Sequence, residues 1–177
     1  MTVTIKQTEA IPASYPATPS GLSAAATALD PDMIWARIES YIAHRWTDRQ
    51  VIWIAEGSGE WVPPLTPATV TTIEVWEANA WSATVPLPSP LGGYELPGDG
   101  PYRITADVGS GTVPSGVETA FRRLAEYMAE VDPKPGASDY EVSIGSLEQS
   151  YRRSPTWLAK AMQNSGAADL LRPYRRA

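Results

Sequence analysis

The chain has 177 residues, a net charge of −6 and no cysteine, which excludes disulfides, thiolate metal ligands and thiol catalysis. That length suits one ordinary domain with an appended arm, enough to bury a core without covalent staples. No apolar run approaches the roughly 20 residues that cross a bilayer, and the first ten residues lack the basic-then-apolar layout of a signal peptide, so neither a membrane span nor that export route is expected.

Residues 1–29 begin with the alternation Thr2-Val3-Thr4-Ile5 and become rich in Pro, Ser, Thr and Ala, with Pro12, Pro16 and Pro19 blocking a helix. A short edge strand followed by an extended Pro-rich arm is expected. Asp30-Pro31 reads as an N-cap followed by proline at the first helical position. Ile34, Ile38 and Ile42 then form one apolar stripe with Trp35 and Trp46 at its margins, which predicts a helix over 31–45.

From Val51 the period changes to two and β-branched and aromatic residues become dense. Val51-Ile52-Trp53-Ile54, the turn Gly57-Ser58-Gly59 and Glu60-Trp61-Val62 suggest a hairpin. Further strands are expected at Thr71–Trp76 and Trp81–Val85 around a turn at Asn79-Ala80, then at Tyr94–Leu96 and Tyr102–Val108. Their regular turn signals predict a small antiparallel sheet over 51–108.

A second helix is expected over 116–131, where Ser115 and Glu118 have capping-box spacing and Val117, Phe121, Leu124, Met128 and Val131 make one apolar seam. Pro133, Pro135 and Gly136 open a linker over 133–150, with Tyr140–Ile144 as an extra candidate strand. Ser154-Pro155 repeats the cap-plus-proline signal before a short helix with Trp157, Leu158, Ala161 and Met162 on its apolar face. The fold class expected is α+β: a small helical bundle, with body 30–132, carrying an inserted antiparallel β region and an extended C-terminal helical arm, 151–177.

The charge is unevenly spread. From Tyr151 onward Arg152, Arg153, Lys160, Arg172, Arg175 and Arg176 face only Asp169, a net +5, so the preceding 150 residues carry −11. An acidic body with a basic tail suits head-to-tail association or an acidic partner, and equally a tail that is merely solvated. Like charges on the body predict a monomer or weak oligomer for the isolated chain. Seven Trp and eight Tyr against one Phe favour side chains with an apolar body and a hydrogen-bonding handle, as found at interfaces and in β-rich cores alike.

No catalytic constellation emerges, and no enzymatic activity, cofactor or metal is expected. The only histidine, His44, sits beside Arg45 at a helix end with no partner motif, and no Gly-x-Ser-x-Gly elbow surrounds a serine. Gly98-Asp99-Gly100 and Gly109-Ser110-Gly111 lack the lysine of a phosphate loop and read as turns. Glu56, Glu60, Asp99 and Asp107 supply carboxylates without a spacing that pairs them. Exposed Trp53, Trp61, Trp76 or Trp81 would suit a carbohydrate-stacking platform, so the alternative function is a Trp-rich carbohydrate-binding or other non-catalytic binding module, and the acidic body argues against a groove that tracks nucleic acid.

The ending Arg153-Ser154-Pro155-Thr156-Trp157-Leu158-Ala159-Lys160-Ala161-Met162, followed by Ser165-Gly166-Ala167-Ala168-Asp169-Leu170-Leu171-Arg172-Pro173-Tyr174-Arg175-Arg176, resembles the C-terminus of head-tail adaptor (connector) proteins of gene transfer agents and related siphophages. The stretch from Gly109 to Glu130 is similar to the helix that follows the β insertion in phage connectors of this class. The resemblance covers about 31–177. It implies a non-catalytic, twelve-subunit ring in the neck of a virion or phage-like particle, assembled in the bacterial cytoplasm and continuing the DNA channel. Its implied partners are the portal protein, a stopper or tail-terminator protein and further copies of itself, with non-specific contact to channel DNA and no membrane. The implied portal-docking residues are Arg152, Arg153, Trp157, Leu158, Lys160, Met162, Leu170, Leu171, Arg172, Pro173, Tyr174, Arg175 and Arg176. The competing reading of the same segment is a helix folded back on its own body.

Overall fold

A computed structural model describes residues 1–130, 139–144, 147–152 and 157–175. The chain is α+β, as expected, and divides into two compact units. The first comprises Met1–Pro16, Glu39–Val113 and Tyr174–Ala177, and the second Ala17–Ile38 and Pro114–Pro173.

The first unit holds two antiparallel sheets. The larger has the order β1 (Val3–Glu9), β2 (Arg49–Glu56), β8 (Tyr102–Val108), β4 (Ala68–Glu77), β5 (Ala80–Ala83), and the smaller β3 (Gly59–Trp61), β7 (Tyr94–Leu96), β6 (Leu87–Pro88). Alternation decides the faces: Val51, Trp53 and Ala55 of β2 and Tyr102, Ile104, Ala106 and Val108 of β8 are buried, together with Trp61, Leu65, Ile73 and Leu96. Trp61 of the smaller sheet meets Trp53 of the larger edge to face, with ring centroids 5.5 Å apart. Each indole N–H is satisfied from β1, Trp53 donating to Gln7 Oε1 at 2.8 Å and Trp61 to Thr4 Oγ1 at 3.0 Å.

β1 is the edge strand the sequence predicts, although it runs on to Glu9 and carries a bulge between Thr4 and Lys6. The expected hairpin of 51–54 with 60–62 does not form. β2 pairs with β1 and β8, while β3 pairs with β7, because the buried parity of Trp53 and Trp61 places their strands in facing sheets. The expected hairpin β4/β5 forms with its turn one residue earlier and its second strand ending at Ala83, and the two-residue turn holds Ala78 at φ 50° and Asn79 at φ 65°, the left-handed pair that suits strand twist.

The second unit is helical. It contains α1 (Ala24–Thr27), the first eight residues of α2 (Pro31–Tyr41), α3 (Ser115–Ala129), α4 (Ala161–Asn164) and α5 (Ala167–Leu170). Ile34, Trp35 and Ile38 are buried, as are Val117, Ala120, Phe121, Leu124 and Ala125 of α3, and Trp35 packs on Phe121 at 4.8 Å. α1 lies within the segment expected to be an extended arm. Ser23 caps it and also donates its N–H and Oγ to Glu126 at 2.6 and 2.7 Å. β9 (Asp139–Ile144) and β10 (Leu147–Arg152) form an antiparallel pair that spans the expected linker and the first two residues of the expected arm.

Two helix boundaries differ from expectation. α2 stops at Tyr41 and not at 45, because the Arg45 guanidinium turns back to donate to the carbonyls of Glu39 (2.9 Å) and Ile42 (3.0 Å), while the Arg45 N–H donates to Thr66 O at 2.8 Å. The capping box at Ser115 and Glu118 is absent: Pro114 is the N-cap, and its carbonyl accepts from Val117 and Glu118 N–H with no side-chain cap. Val131, at the end of the predicted seam, lies outside the described residues, as does the rest of 131–138.

Candidate functional site

The first unit carries a proline-rich segment from Thr84 to Gly93, Thr-Val-Pro-Leu-Pro-Ser-Pro-Leu-Gly-Gly, which includes the short edge strand β6. Its three large apolar side chains face solvent: Val85 is 96% exposed, Leu87 73% and Leu91 71%. The loop is nevertheless firmly built. Pro86 and Ser89 are buried, and Leu87–Pro88 pairs with β7. Ser89 N–H donates to Gly93 O at 2.8 Å, Gly92 N–H to Ser89 O at 3.1 Å and Leu91 N–H to Ser89 Oγ at 3.1 Å. Ser89 Oγ in turn donates to the Glu60 carboxylate. Any side chain at Gly93 would collide with the Trp61 carbonyl, which pins the loop base to β3. Prolines and these bonds remove the conformational freedom that apolar residues normally use to escape water, so the three side chains are held out at fixed positions. Sequence reasoning passed over this loop; its signal was the alternation of proline with Val85, Leu87 and Leu91.

The adjoining β4/β5 hairpin presents Trp76 and Trp81 on the sheet face opposite the core. They are directly cross-strand, with centroids 5.2 Å apart at 64°. Arg103 lies over the Trp81 ring at 4.8 Å and donates to both Glu74 oxygens at 2.6 and 2.7 Å. That bond and the Arg103 charge hold the Glu74 carboxyl below the usual carboxylate range. For the alternative of a carbohydrate-stacking platform built from Trp53, Trp61, Trp76 or Trp81, the first two are corrected: they are 0% and 3% exposed with their N–H groups committed, while Trp76 and Trp81 pack on each other and Arg103 lies over Trp81.

The residues expected to dock on a portal are divided by the structure. Met162 (5% exposed) and Leu171 (0%) are buried, with Ala161 and Ala167, in the helical unit itself. An apolar face without another partner covers its own core, so the burial of these two favours the competing reading, a segment folded back on its own body. Trp157 is half-buried with its ring 5.5 Å from Tyr127, in a turn and not in the expected helix; Leu170 is half-buried. Leu158, Lys160, Arg172 and Pro173 are exposed, Arg172 paired with Asp169 at 3.4 Å. Tyr174 and Arg175 belong to the first unit, where Tyr174 packs on His44 and Trp46 and accepts from Ala43 N–H at 3.0 Å, and Arg175 lies 4.7 Å over the Tyr41 ring. Arg152 ends β10, and Arg153 and Arg176 lie outside the described residues.

His44 stacks on Trp46 at 4.8 Å; burial and the neighbouring Arg45 charge push its pKa down. The carboxylates weighed for acid-base work are spread out: Glu60 holds Ser89, Glu56 and Asp107 stand near opposite ends of the paired strands, and Asp99 is in the turn whose carbonyl accepts from Gly57. A buried ion cluster was not foreseen. Glu39 accepts from Arg49 at 2.6 and 3.0 Å, and Glu9 accepts from Arg45 at 2.6 and 3.1 Å and from Arg49 at 3.1 Å. Its two carboxylates and two guanidiniums balance, and their hydrogen bonds tie β1, the end of α2 and β2 together, which is a structural task. Among the described residues no group of three or more His, Cys, Asp or Glu could hold a metal ion, and no helix is long and apolar enough to cross a membrane. No family model, no curated protein and no solved structure matches the chain.

Proposed function

We propose that the chain is a structural head-tail adaptor, a ring subunit that joins the portal of a phage or gene-transfer-agent head to the tail. The observation that carries the reading is the braced loop with Val85, Leu87 and Leu91 held in solvent, an ordered contact surface built at a cost in apolar exposure that only a partner offsets. Burying such side chains is worth roughly 1.5–3 kcal/mol each, so three of them supply a useful share of an assembly contact. The C-terminal resemblance to connector proteins supplies the partner class, and the exposed Leu158, Lys160, Arg172 and Pro173 supply a portal-facing set that leaves the helical core intact.

Electron microscopy of particles whose assembly includes this chain tests the proposal. A ring of density belonging to it between portal and tail is expected, and the double variant Leu87→Lys/Leu91→Lys should accumulate heads without tails while keeping the parental melting temperature. Absence of the chain from the neck would refute the adaptor reading.

A further inference from the structure

The outermost strand of the larger sheet, β5, has one side unpaired among the described residues. Its register fixes which backbone groups face outward. Glu77 opposes Ala80, Trp76 opposes Trp81, Val75 opposes Ser82 and Glu74 opposes Ala83, and the Thr84 N–H donates to Ile73 O at 2.9 Å. Hydrogen-bonded pairs alternate along an antiparallel ladder, so Ala80, Ser82 and Thr84 bond inward to β4, while the N–H and C=O groups of Trp81, Ala83 and Val85 point away from the sheet. Val85 precedes a proline, which favours continuation of the extended backbone.

Unguarded edges invite pairing, and folds protect them with charges, prolines or bulges. The opposite edge, β1, has such protection in its bulge and in Lys6. Ala80-Trp81-Ser82-Ala83 has neither charge, proline nor bulge, and it leads into a valine that is 96% exposed.

We propose that β5 pairs antiparallel with β5 of a second copy about a two-fold axis at Ala83. The edge is self-complementary in that register. Trp81 falls opposite Val85 of the second copy, Ala83 opposite Ala83, and Val85 opposite Trp81, so each outward N–H meets a C=O. All three residues lie on the same sheet face, where each Trp81 gains a β-branched neighbour and each Val85 loses its exposure. The interface is small, a few residues per copy, so the dimer is weak and rapidly exchanging, in keeping with a highly acidic body that disfavours tight self-association. The contact closes on itself and cannot propagate into a ring, and of the three exposed loop side chains it uses Val85 alone, leaving Leu87 and Leu91 to the adaptor contact.

Because the chain lacks cysteine, single-cysteine variants report the contact directly. In this register Ser82 opposes Thr84 of the second copy as a non-hydrogen-bonded pair, with Cα atoms about 4.5 Å apart, inside the roughly 4.4–6.8 Å range of disulfides. Ser82→Cys is mixed with a size-tagged Thr84→Cys at high protein concentration under mild oxidation, where even a transient pair accumulates as disulfide. The mixed dimer should outpace both self-dimers several-fold. Val85→Lys, introduced into both partners, should abolish the excess; Leu91→Lys, also exposed but off the edge, should not, and neither should alter the melting temperature. No excess of the mixed dimer, or an excess indifferent to Val85→Lys, overturns the pairing. Absence of the chain from particle necks removes the adaptor proposal and leaves this result untouched.

Discussion

Leu171→Ala discriminates between a C-terminal arm that waits for a partner and a C-terminal segment that is already core. Leu171 is 0% exposed in the helical unit, alongside Met162, Ala161 and Ala167. Truncating a fully buried leucine removes its transfer free energy and leaves a cavity, for a loss of about 2–5 kcal/mol. For a chain of this size each 1 kcal/mol moves the midpoint by about 2–4 °C, so a fall of roughly 4–20 °C is expected. Because the chain has two compact units, the helical one should be followed separately, through its helical circular dichroism, in a urea titration with the slope held constant. Leu158→Ala is the internal comparison: at 41% exposed it should cost less than about 0.5 kcal/mol. If Leu171→Ala melts with the parent and only the joining of heads to tails is lost, the segment is an arm and the burial argument fails.

Glu39→Gln should cost about 3 kcal/mol, because it leaves the Arg49 guanidinium, 7% exposed, short of its closest carboxylate; chemical denaturation checks this, and a loss below about 1 kcal/mol would mean that Glu9 compensates. Acid should act in two windows. Burial and Arg45 hold His44 below its ordinary 6.5, so the unfolded chain takes up this proton first: stability is whole above pH 6.5 and falls as pH drops through it toward the folded value, a dependence that His44→Gln should remove. For Glu9 burial raises the pKa, but the bonds and charges of Arg45 and Arg49 lower it further, to a net value below 4.5; its contribution is full above pH 4.5 and lost as pH falls through the folded value. Ala78→Gly should raise the urea midpoint, adding about 1 kcal/mol by relieving a left-handed alanine at φ 50°, and a lower midpoint would contradict the strain argument.

What the sequence made legible was local. In β4 the polar Thr72 and Glu74 share the parity of Trp76, so that tryptophan reads as facing away from the core, and the turn at Asn79 is marked by its residue type. In β2 both parities are apolar, Val51 and Trp53 against Ile52 and Ile54, and no pattern says which side a second sheet will cover. Strand partners were equally hidden: β1 joins β2 across about forty residues of chain, and β3 reaches β7 past the whole β4/β5 hairpin, so the nearest turn, Gly57-Ser58-Gly59, suggested the wrong pair. The α2 boundary was lost for a related reason. The apolar stripe continues through Ile42, but the event that ends the helix is a guanidinium three residues beyond it turning back onto the last carbonyls.

The C-terminal segment shows the same limit from the side of function. Its apolar spacing was legible, but spacing does not state what the face will cover, and here Met162 and Leu171 cover their own helical unit. To dock through those two side chains, α4 and α5 would first have to leave that core and forfeit roughly 1.5–3 kcal/mol per buried anchor, which the portal contact would have to exceed before any affinity appeared. Docking through Leu158, Lys160, Arg172 and Pro173 requires no such release, since all four already face solvent. The two routes differ in their salt response: the exposed set depends on cations screened within a Debye length of about 8 Å at physiological ionic strength, whereas an exchange of buried leucine and methionine contacts is nearly indifferent to it. Charge reversal by Lys160→Glu with Arg172→Glu should therefore reduce particle joining and flatten its salt dependence while leaving the melt unchanged. Joining that survives the reversal at every ionic strength would remove the cations from the contact.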